Sequence, residues 1–271
     1  MSVHLTRHPP HPDIAYFVDQ HWVWRWNVGT TPYDREVLPD PVVHVLIERD
    51  RSQALGVIRR RYVRRIEGAG CVVGTRFRVG GFAPFFLRPM HELTDEVVPL
   101  GDVFGPAAAE HLERAALAAE NDADAVAHVT AFLRERVPLR DPNVEAIARI
   151  VELVVAERSI RTVEELAERW SMSARGLQRL FRHYVGVTPK WVIRRFRIQE
   201  AARAAEAGAR VDWARLACDL GYFDQAHLIK DFRAQVGRAP GEYRVRAAAR
   251  ARKCRVPSYE SMSDRVTGKK R

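Results

Sequence analysis

TVEELAERWSMSARGLQRLFRHY, residues 162–184, is the stretch that decides how this chain folds. Thr162 and Glu165 stand at the spacing of a capping box, in which each side chain satisfies a backbone N–H orphaned at a helix start. Leu166 and Ala167 belong to the short helix so opened. Ser173 is placed to cap a second helix, whose Leu177, Leu180, Phe181 and Tyr184 fall at i, i+3, i+4 and i+7 and form one apolar stripe. Gly186 stops it. A short helix, a turn and a longer helix in succession make a helix-turn-helix.

Working outward, the same pattern returns downstream. Thr188-Pro189 opens a long helix that stops near Gly208, with Pro favoured at the first helical position. Asp212 caps Trp213 to Leu220, and Gly221 turns the chain. Asp224 caps a last helix with Leu228, Phe232 and Val236 on its buried side, ended by Gly237 and Pro240. Upstream, Asn143 is placed to cap a helix carrying Ile147, Ile150, Val151 and Val154.

In such a unit the second helix enters the major groove, and residues opposite its buried stripe face the bases. The first unit leaves Arg175, Gln178, Arg179 and Arg182 outside, with Ser173 placed to donate to a phosphate. Arg matches guanine O6/N7 and Gln matches adenine N6/N7. The second unit leaves Gln225, Ala226, His227, Lys230 and Arg233, of which Ala226 offers only contact with a thymine methyl or room for close approach. A solvated face explains one charged helix. Two such faces, each on the second helix of its unit, argue for double-stranded DNA.

Charge points the same way. Of the formal net charge of +10 over 271 residues, residues 1–142 hold 17 basic against 19 acidic side chains, residues 143–250 hold 20 against 13, and residues 251–271 hold 7 against 2. A polyanion would bind the C-terminal part. The three cysteines, Cys71, Cys218 and Cys254, are odd in number and far apart, which argues against a disulfide framework or a cysteine zinc site. No apolar run reaches the length of a membrane span and no secretory leader opens the chain, so a cytoplasmic location is expected.

Residues 143–246 resemble the DNA-binding domain of the AraC/XylS family of bacterial transcription regulators. The resemblance runs through Leu166-Ala167; through Ser173, Leu177, Arg179 and Phe181; through Gly186 and Thr188-Pro189. It continues through Arg197, Ala201, Ala217, Gly221-Tyr222, Asp224, Leu228, Lys230 and Phe232, and closes on Gly237, Pro240 and Tyr243-Arg244. It implies two recognition helices roughly one DNA turn apart, with Arg175, Gln178 and Arg179 reading one major-groove segment and Gln225, Ala226, His227 and Lys230 the next. His227 stands where a small hydroxyl residue is common and Lys230 where Arg is common. Gly176 weakens the first recognition helix by roughly 1 kcal/mol relative to Ala.

The first hundred residues read as strand and loop. Trp22, Trp24 and Trp26 alternate with Val23 and Arg25 as in a strand with one buried face. Val42 to Ile47 and Val72 to Val79 are further strands, and His4, His8 and His11 read as part of a flexible N-terminus. From Pro106 the pattern becomes helical, to about Val137. This part resembles the small N-terminal domain of a subgroup of the same regulators, through Val37-Leu38-Pro39-Asp40, Gly74 to Arg78 before Gly80-Gly81, Glu92-Leu93-Thr94 and the helices after Phe104. That resemblance implies a cupin-like barrel that senses a ligand or dimerises. The expected class is therefore α+β: a mostly-β barrel with trailing helices over 1–140, an all-α tandem helix-turn-helix domain over 143–250, and a basic, disordered tail over 251–271.

Trp22, Trp24, Trp26, Phe77 and Phe82 line either an effector pocket or the plain inside of a β domain. His21, His44 and His91 with Glu48 or Glu92 lack metal-ligand spacing, so no metal and no cofactor is expected. Arg59-Arg60-Arg61 with Arg64-Arg65 reads as a solvated loop or hairpin, or as a grip on flanking phosphates. Leu112, Leu117, Val129 and Leu133 suit a homodimer interface or packing on their own domain. An enzyme or repair protein would need a nucleophile in residues 1–142, where Cys71 is the only cysteine, set among strand residues. A non-enzymatic regulator is expected, with double-stranded DNA as partner and RNA polymerase, a small effector and a second copy as further candidates.

Overall fold

The computed structural model describes residues 2–37, 39–207 and 211–245; the tail over 251–271 lies outside the described residues. Strands β1 (Ser2–His8), β2 (Val18–Val37), β3 (His44–Ile47), β4 (Gln53–Leu55), β5 (Tyr62–Phe77) and β6 (Val97–Pro99) form one sheet in the order β1-β2-β5-β3-β4-β6. Every pairing is antiparallel. The sheet ends on β1 and β6 without closing, so the expected barrel is an open sheet within the expected α+β class. Its spine is the β2–β5 pair, whose register shifts near Val18, Asn27 and Gly29. Such bulges bend a strand and raise its twist.

Alternation along β2 and β5 sends two sets of side chains to two faces. Val23, Val45, Ile47, Val73 and Phe77 face helices α1 (Ala83–Phe86), α2 (Leu100–Phe104), α3 (Pro106–Ala118) and α4 (Asp122–Arg134) in one core. Trp22, Trp24, Trp26, Leu46 and Val72 form a second core on the opposite face. Trp22 pairs across the strands with Gly74 and Trp26 with Gly70. A Cβ on Gly74 would sit 2.1 Å from the Trp22 ring and one on Gly70 would sit 2.3 Å from the Trp26 ring. Bare backbone at these two positions gives the indoles their seats.

Two expectations change here. The N-terminus is not loose: Ser2–His8 pairs with β2 from Ser2↔Asn27 to His8↔His21, and Val3 and Leu5 pack on the tryptophan core. The signal was faint because an edge strand is only half covered. The apolar faces of α3 and α4 are already filled, since Leu112, Val129 and Leu133 are buried with Phe132 and Ala125 against the sheet and Leu117 packs on the same core. Of the two roles open to these residues, the structure shows packing on their own domain. Asp122, in the first turn of α4, accepts from Thr6 Oγ1 and Arg25 Nε, each at 2.7 Å, and ties that helix to β1 and β2.

The remainder is helical: α5 (Pro142–Ala156), α6 (Val163–Arg169), α7 (Ala174–Tyr184), α8 (Pro189–Glu206), α9 (Trp213–Asp219) and α10 (Gln225–Val236). Asp141 rather than Asn143 caps α5, accepting from the Asn143 N–H at 2.9 Å. Pro142 occupies the first helical position, where its missing N–H costs nothing. Val42, Val57 and Val79 from the sheet region share one core with Ile147, Ile150, Leu177, Phe181 and Phe196. A separate core, Ile198, Ala201, Leu220, Leu228, Phe232 and Val236 among others, holds the last two helices. Among the described residues no helix is long and apolar enough to cross a membrane.

Candidate nucleic-acid interface

The capping box at Thr162 forms, with Glu165 N–H bonded to Thr162 Oγ1 and the Glu165 carboxylate accepting from Thr162 N–H. Backbone N–H groups of Arg161 and Thr162 hold that carboxyl below the usual Glu range. Ser173 caps α7 through the Gly176 N–H at 3.1 Å. Leu177 and Phe181 are fully buried, while Leu180 and Tyr184 are half-buried at the margins. Ser173, Arg175, Gln178, Arg179 and Arg182 are all exposed.

The second unit repeats this order. Asp212 caps α9 through the N–H groups of Ala214 and Arg215, and Asp224 caps α10 through the His227 N–H at 2.7 Å. Leu228, Phe232 and Val236 are buried. Gln225, Ala226, His227, Lys230 and Arg233 are all exposed. Each reading helix therefore turns a polar, largely cationic face to solvent, with the apolar stripe behind it.

Helix α8 joins the two units. Its 18 residues span about 27 Å at 1.5 Å per residue. Val192, Ile193 and Phe196 enter the core that holds Leu177 and Phe181, and Ile198, Ala201, Ala202 and Ala205 enter the core of α9 and α10. Arg197, 2% exposed, donates to the carbonyls of Glu157 (2.9 Å) and Ile160 (3.0 Å) ahead of α6. Burial lowers its guanidinium below the usual Arg value. Arg194 grips both oxygens of Asp231 on α10, one at 2.8 Å. The same ion pair lies beside the Tyr222 phenol, which burial pushes up. These ties were not readable in the sequence, where Arg194-Arg195-Phe196-Arg197 is simply a basic run.

The C-terminal ends of α7 and α10 meet the sheet region. Gly186 (φ +92°) and Gly237 (φ +80°) end α7 and α10 in the left-handed region that glycine favours. Thr94 Oγ1 donates to the Gly186 carbonyl at 2.8 Å, and the Arg61 side chain packs on Gly237. Arg195 on α8, 1% exposed, donates to the Pro39 carbonyl. The next carboxylate, Asp40, pairs with Arg76, which also holds Asp19. Burial alone would raise the Asp40 pKa, but Arg76 and Arg195 hold it below the usual range.

The five aromatic residues, read as lining either an effector pocket or the inside of a β domain, are divided between two cores. Trp22, Trp24 and Trp26 lie in the core on one sheet face, and Phe77 and Phe82 lie in the other core with Phe17 and Phe85. Alternation along β5 explains Phe77, which shares the face of Val73, whereas the tryptophans share the face of Val72. A cleft of about 310 Å³ opens elsewhere, between the sheet and α5, lined by Val18, Asp19, Arg76, Arg78, Ala148 and Val151 among others.

The basic cluster is also divided. Arg64 is buried against Glu48 at 2.5 Å, Arg65 pairs with Asp34 at 2.8 Å, and Arg59 pairs with Asp95 at 2.6 Å. Strand β5 begins before Arg64, so the cluster is not a loop throughout. Cys71 is half-buried and burial raises its thiol, which leaves less thiolate for attack. Among the described residues no three of His, Cys, Asp and Glu gather as metal ligands.

Residues 166–246 match the model of a helix-turn-helix domain. A curated relative, the XylDLEGF operon transcriptional activator 1 of Pseudomonas putida, is 31% identical over 111 residues, 40% of this chain. The C-terminal part is an AraC/XylS-type helix-turn-helix domain. The chain spans about a third of that relative's length (33%). Residues 6–99 match a domain of unknown function (DUF6597). The DNA-binding domain of AdpA, a global transcriptional factor solved in complex with a target DNA, is 32% identical over a match that covers 42% of this chain and 97% of that one, with a TM-score of 0.33. ToxT from Vibrio cholerae, solved with an unsaturated fatty acid, is 12% identical, with 90% and 94% of the two chains covered and a TM-score of 0.37.

Proposed function

We propose that this protein is a sequence-specific regulator of transcription that reads two adjacent major-groove segments of one duplex. Ser173, Arg175, Gln178, Arg179 and Arg182 engage one segment, and Gln225, Ala226, His227, Lys230 and Arg233 the other. The observation that carries this reading is the exposure of both sets at once, each on the second helix of its unit, with α8 bridging the two. Arg175, Arg179, Arg182, Lys230 and Arg233 would neutralise phosphates or reach guanine edges, and Gln178 and Gln225 would reach adenine. One chain carries both heads, so two grooves can be filled without a second copy.

The same reading gives the N-terminal domain the role of an effector-sensing part. Its support is the tryptophan core, where Trp22 Nε1 and Arg64 Nε are buried and meet no acceptor among the described residues. The Arg64 guanidinium lies 5.9 Å from the Trp24 ring and 5.7 Å from the Trp26 ring. Buried donors left unsatisfied are costly, and a small ligand bearing acceptor oxygens would satisfy them.

The test is selection of bound sequences from random duplex, followed by titration of the selected site at several salt concentrations. Affinity is expected to fall steeply with salt as phosphate contacts release counterions. Arg179→Ala and Lys230→Ala are each expected to cost about 1–3 kcal/mol on the selected duplex and far less on scrambled duplex. A footprint insensitive to both substitutions would overturn the assignment of the reading faces.

A further inference from the structure

Phe223 is 90% exposed. It stands immediately before Asp224, the N-cap of α10. An apolar residue there ordinarily folds back onto the fourth helical residue as a hydrophobic staple. That residue, Leu228, is fully buried without it, and the neighbouring Tyr222, 9% exposed, supplies an aromatic ring to this core beside Phe232 and Tyr243. Folding therefore gives Phe223 nothing to do. A benzyl group held in water needs another account.

Its surroundings supply one. Gln225, Ala226 and His227, the whole first turn of α10, are exposed, and Lys230 and Arg233 continue the face as cations. Asp224, the one exposed carboxylate in this stretch, is engaged with the His227 N–H, and Asp231 is buried against Arg194. Phe223 and Ala226 stand three residues apart at the helix start, two apolar groups within a basic and amide-bearing face. Base edges are met by the N-terminal residues of a recognition helix. The apolar feature that the major groove offers is the thymine 5-methyl group. A protein partner would call for a broader apolar patch and would gain nothing from the cations.

We propose that Phe223 and Ala226 together read thymine 5-methyl groups in the DNA segment engaged by α10. The inference rests on the DNA-reading function proposed above, and it names the chemistry of one half of the site. Gln225 and Lys230 then supply polar readout and phosphate attraction beside an apolar contact, so the second segment is expected to be rich in T·A pairs.

The experiment uses the full chain and the duplex selected from random sequence, with single thymines replaced by deoxyuridine, which pairs identically but lacks the methyl. Each replacement at a methyl-contacting position is expected to weaken wild-type binding about fourfold, the fold-change that burying one methyl is worth. Phe223→Ala is expected to bind the unmodified duplex more weakly and to lose that sensitivity at the thymine that Phe223 meets; Phe223→Leu, which keeps an apolar side chain, should retain part of it. Circular dichroism checks that the exposed substitutions leave the fold unchanged. Specific binding indifferent to uracil at every position, or equal sensitivity in Phe223→Ala, overturns the inference and leaves the regulator reading standing. Loss of reporter activation by Phe223→Ala with duplex binding and uracil response intact also overturns it, assigning the ring to a protein partner. Failure to select any duplex overturns both.

Discussion

His21 shows what a single residue contributes to this fold. It is 0% exposed, its Nδ1 lies 2.8 Å from Thr75 Oγ1, and its Nε2 meets no partner among the described residues. Burial, with a smaller push from His8, lowers its pKa to about 4. The imidazole is therefore neutral in the folded chain at pH 7, whereas in the unfolded chain it takes up a proton near pH 6.5. Stability from this group is complete above pH 6.5 and is lost as pH falls toward 4, by about 1.4 kcal/mol per pH unit. Urea unfolding at pH 6.5 and pH 5 should differ by about 2 kcal/mol on account of His21. His21→Asn keeps a donor toward Thr75 without the titration, and should remove that part of the slope. An unchanged slope would show that the proton goes elsewhere.

At the level of elements, the start of α7 sets two effects against each other. Ser173 Oγ satisfies the Gly176 N–H, so Ser173→Ala should cost about 1 kcal/mol of stability. Gly176→Ala should gain about as much from helix propensity, but its new Cβ would lie 3.1 Å from that same Oγ. The gain is therefore expected to be small in the wild-type chain and larger once Ser173 is Ala. Thermal unfolding of the two single variants and the double variant gives the coupling, and strict additivity would count against the close contact. This turn was legible in the sequence because caps and apolar stripes are local signals: Thr162, Glu165, Ser173, Leu177 and Phe181 all stand as their spacing implies. The sheet was legible only where alternation was strong, as at Trp22, Trp24 and Trp26. Edge strand β1 and the length of β5 escaped, because half-covered strands with Arg64 and Arg65 in them carry no apolar rhythm. Nor could spacing show that Phe77 belongs to the opposite face from the tryptophans, because that depends on how β2 and β5 pair. Buried Arg195 and Arg197 escaped for a related reason: their partners are backbone carbonyls distant in sequence.

At the scale of the molecule, the first helix-turn-helix unit shares one core with the segments that flank the strands, while the second unit has its own. Val79 is 8% exposed and packs with Val42, Val57, Ile147 and Val151, and Gly80 beside it lies against Ile147. Thr94 on Gly186 and Arg195 on Pro39 add polar ties across the same junction. The last head is joined to the rest chiefly through α8, by its alanine-rich second half and by Arg194 on Asp231. Cooperative units follow contiguous packing, so α7 should open together with β5, and α10 should open separately at lower cost. Val79→Ala removes two methyl groups from the shared core and should cost about 2 kcal/mol. Amide hydrogen exchange would then show α7 and β5 losing the same protection while α10 keeps its own. Loss of protection in β5 with α7 unmoved would mean that the reading head is stabilised independently of the sheet, and that signals from one to the other would have to travel through the polar ties alone.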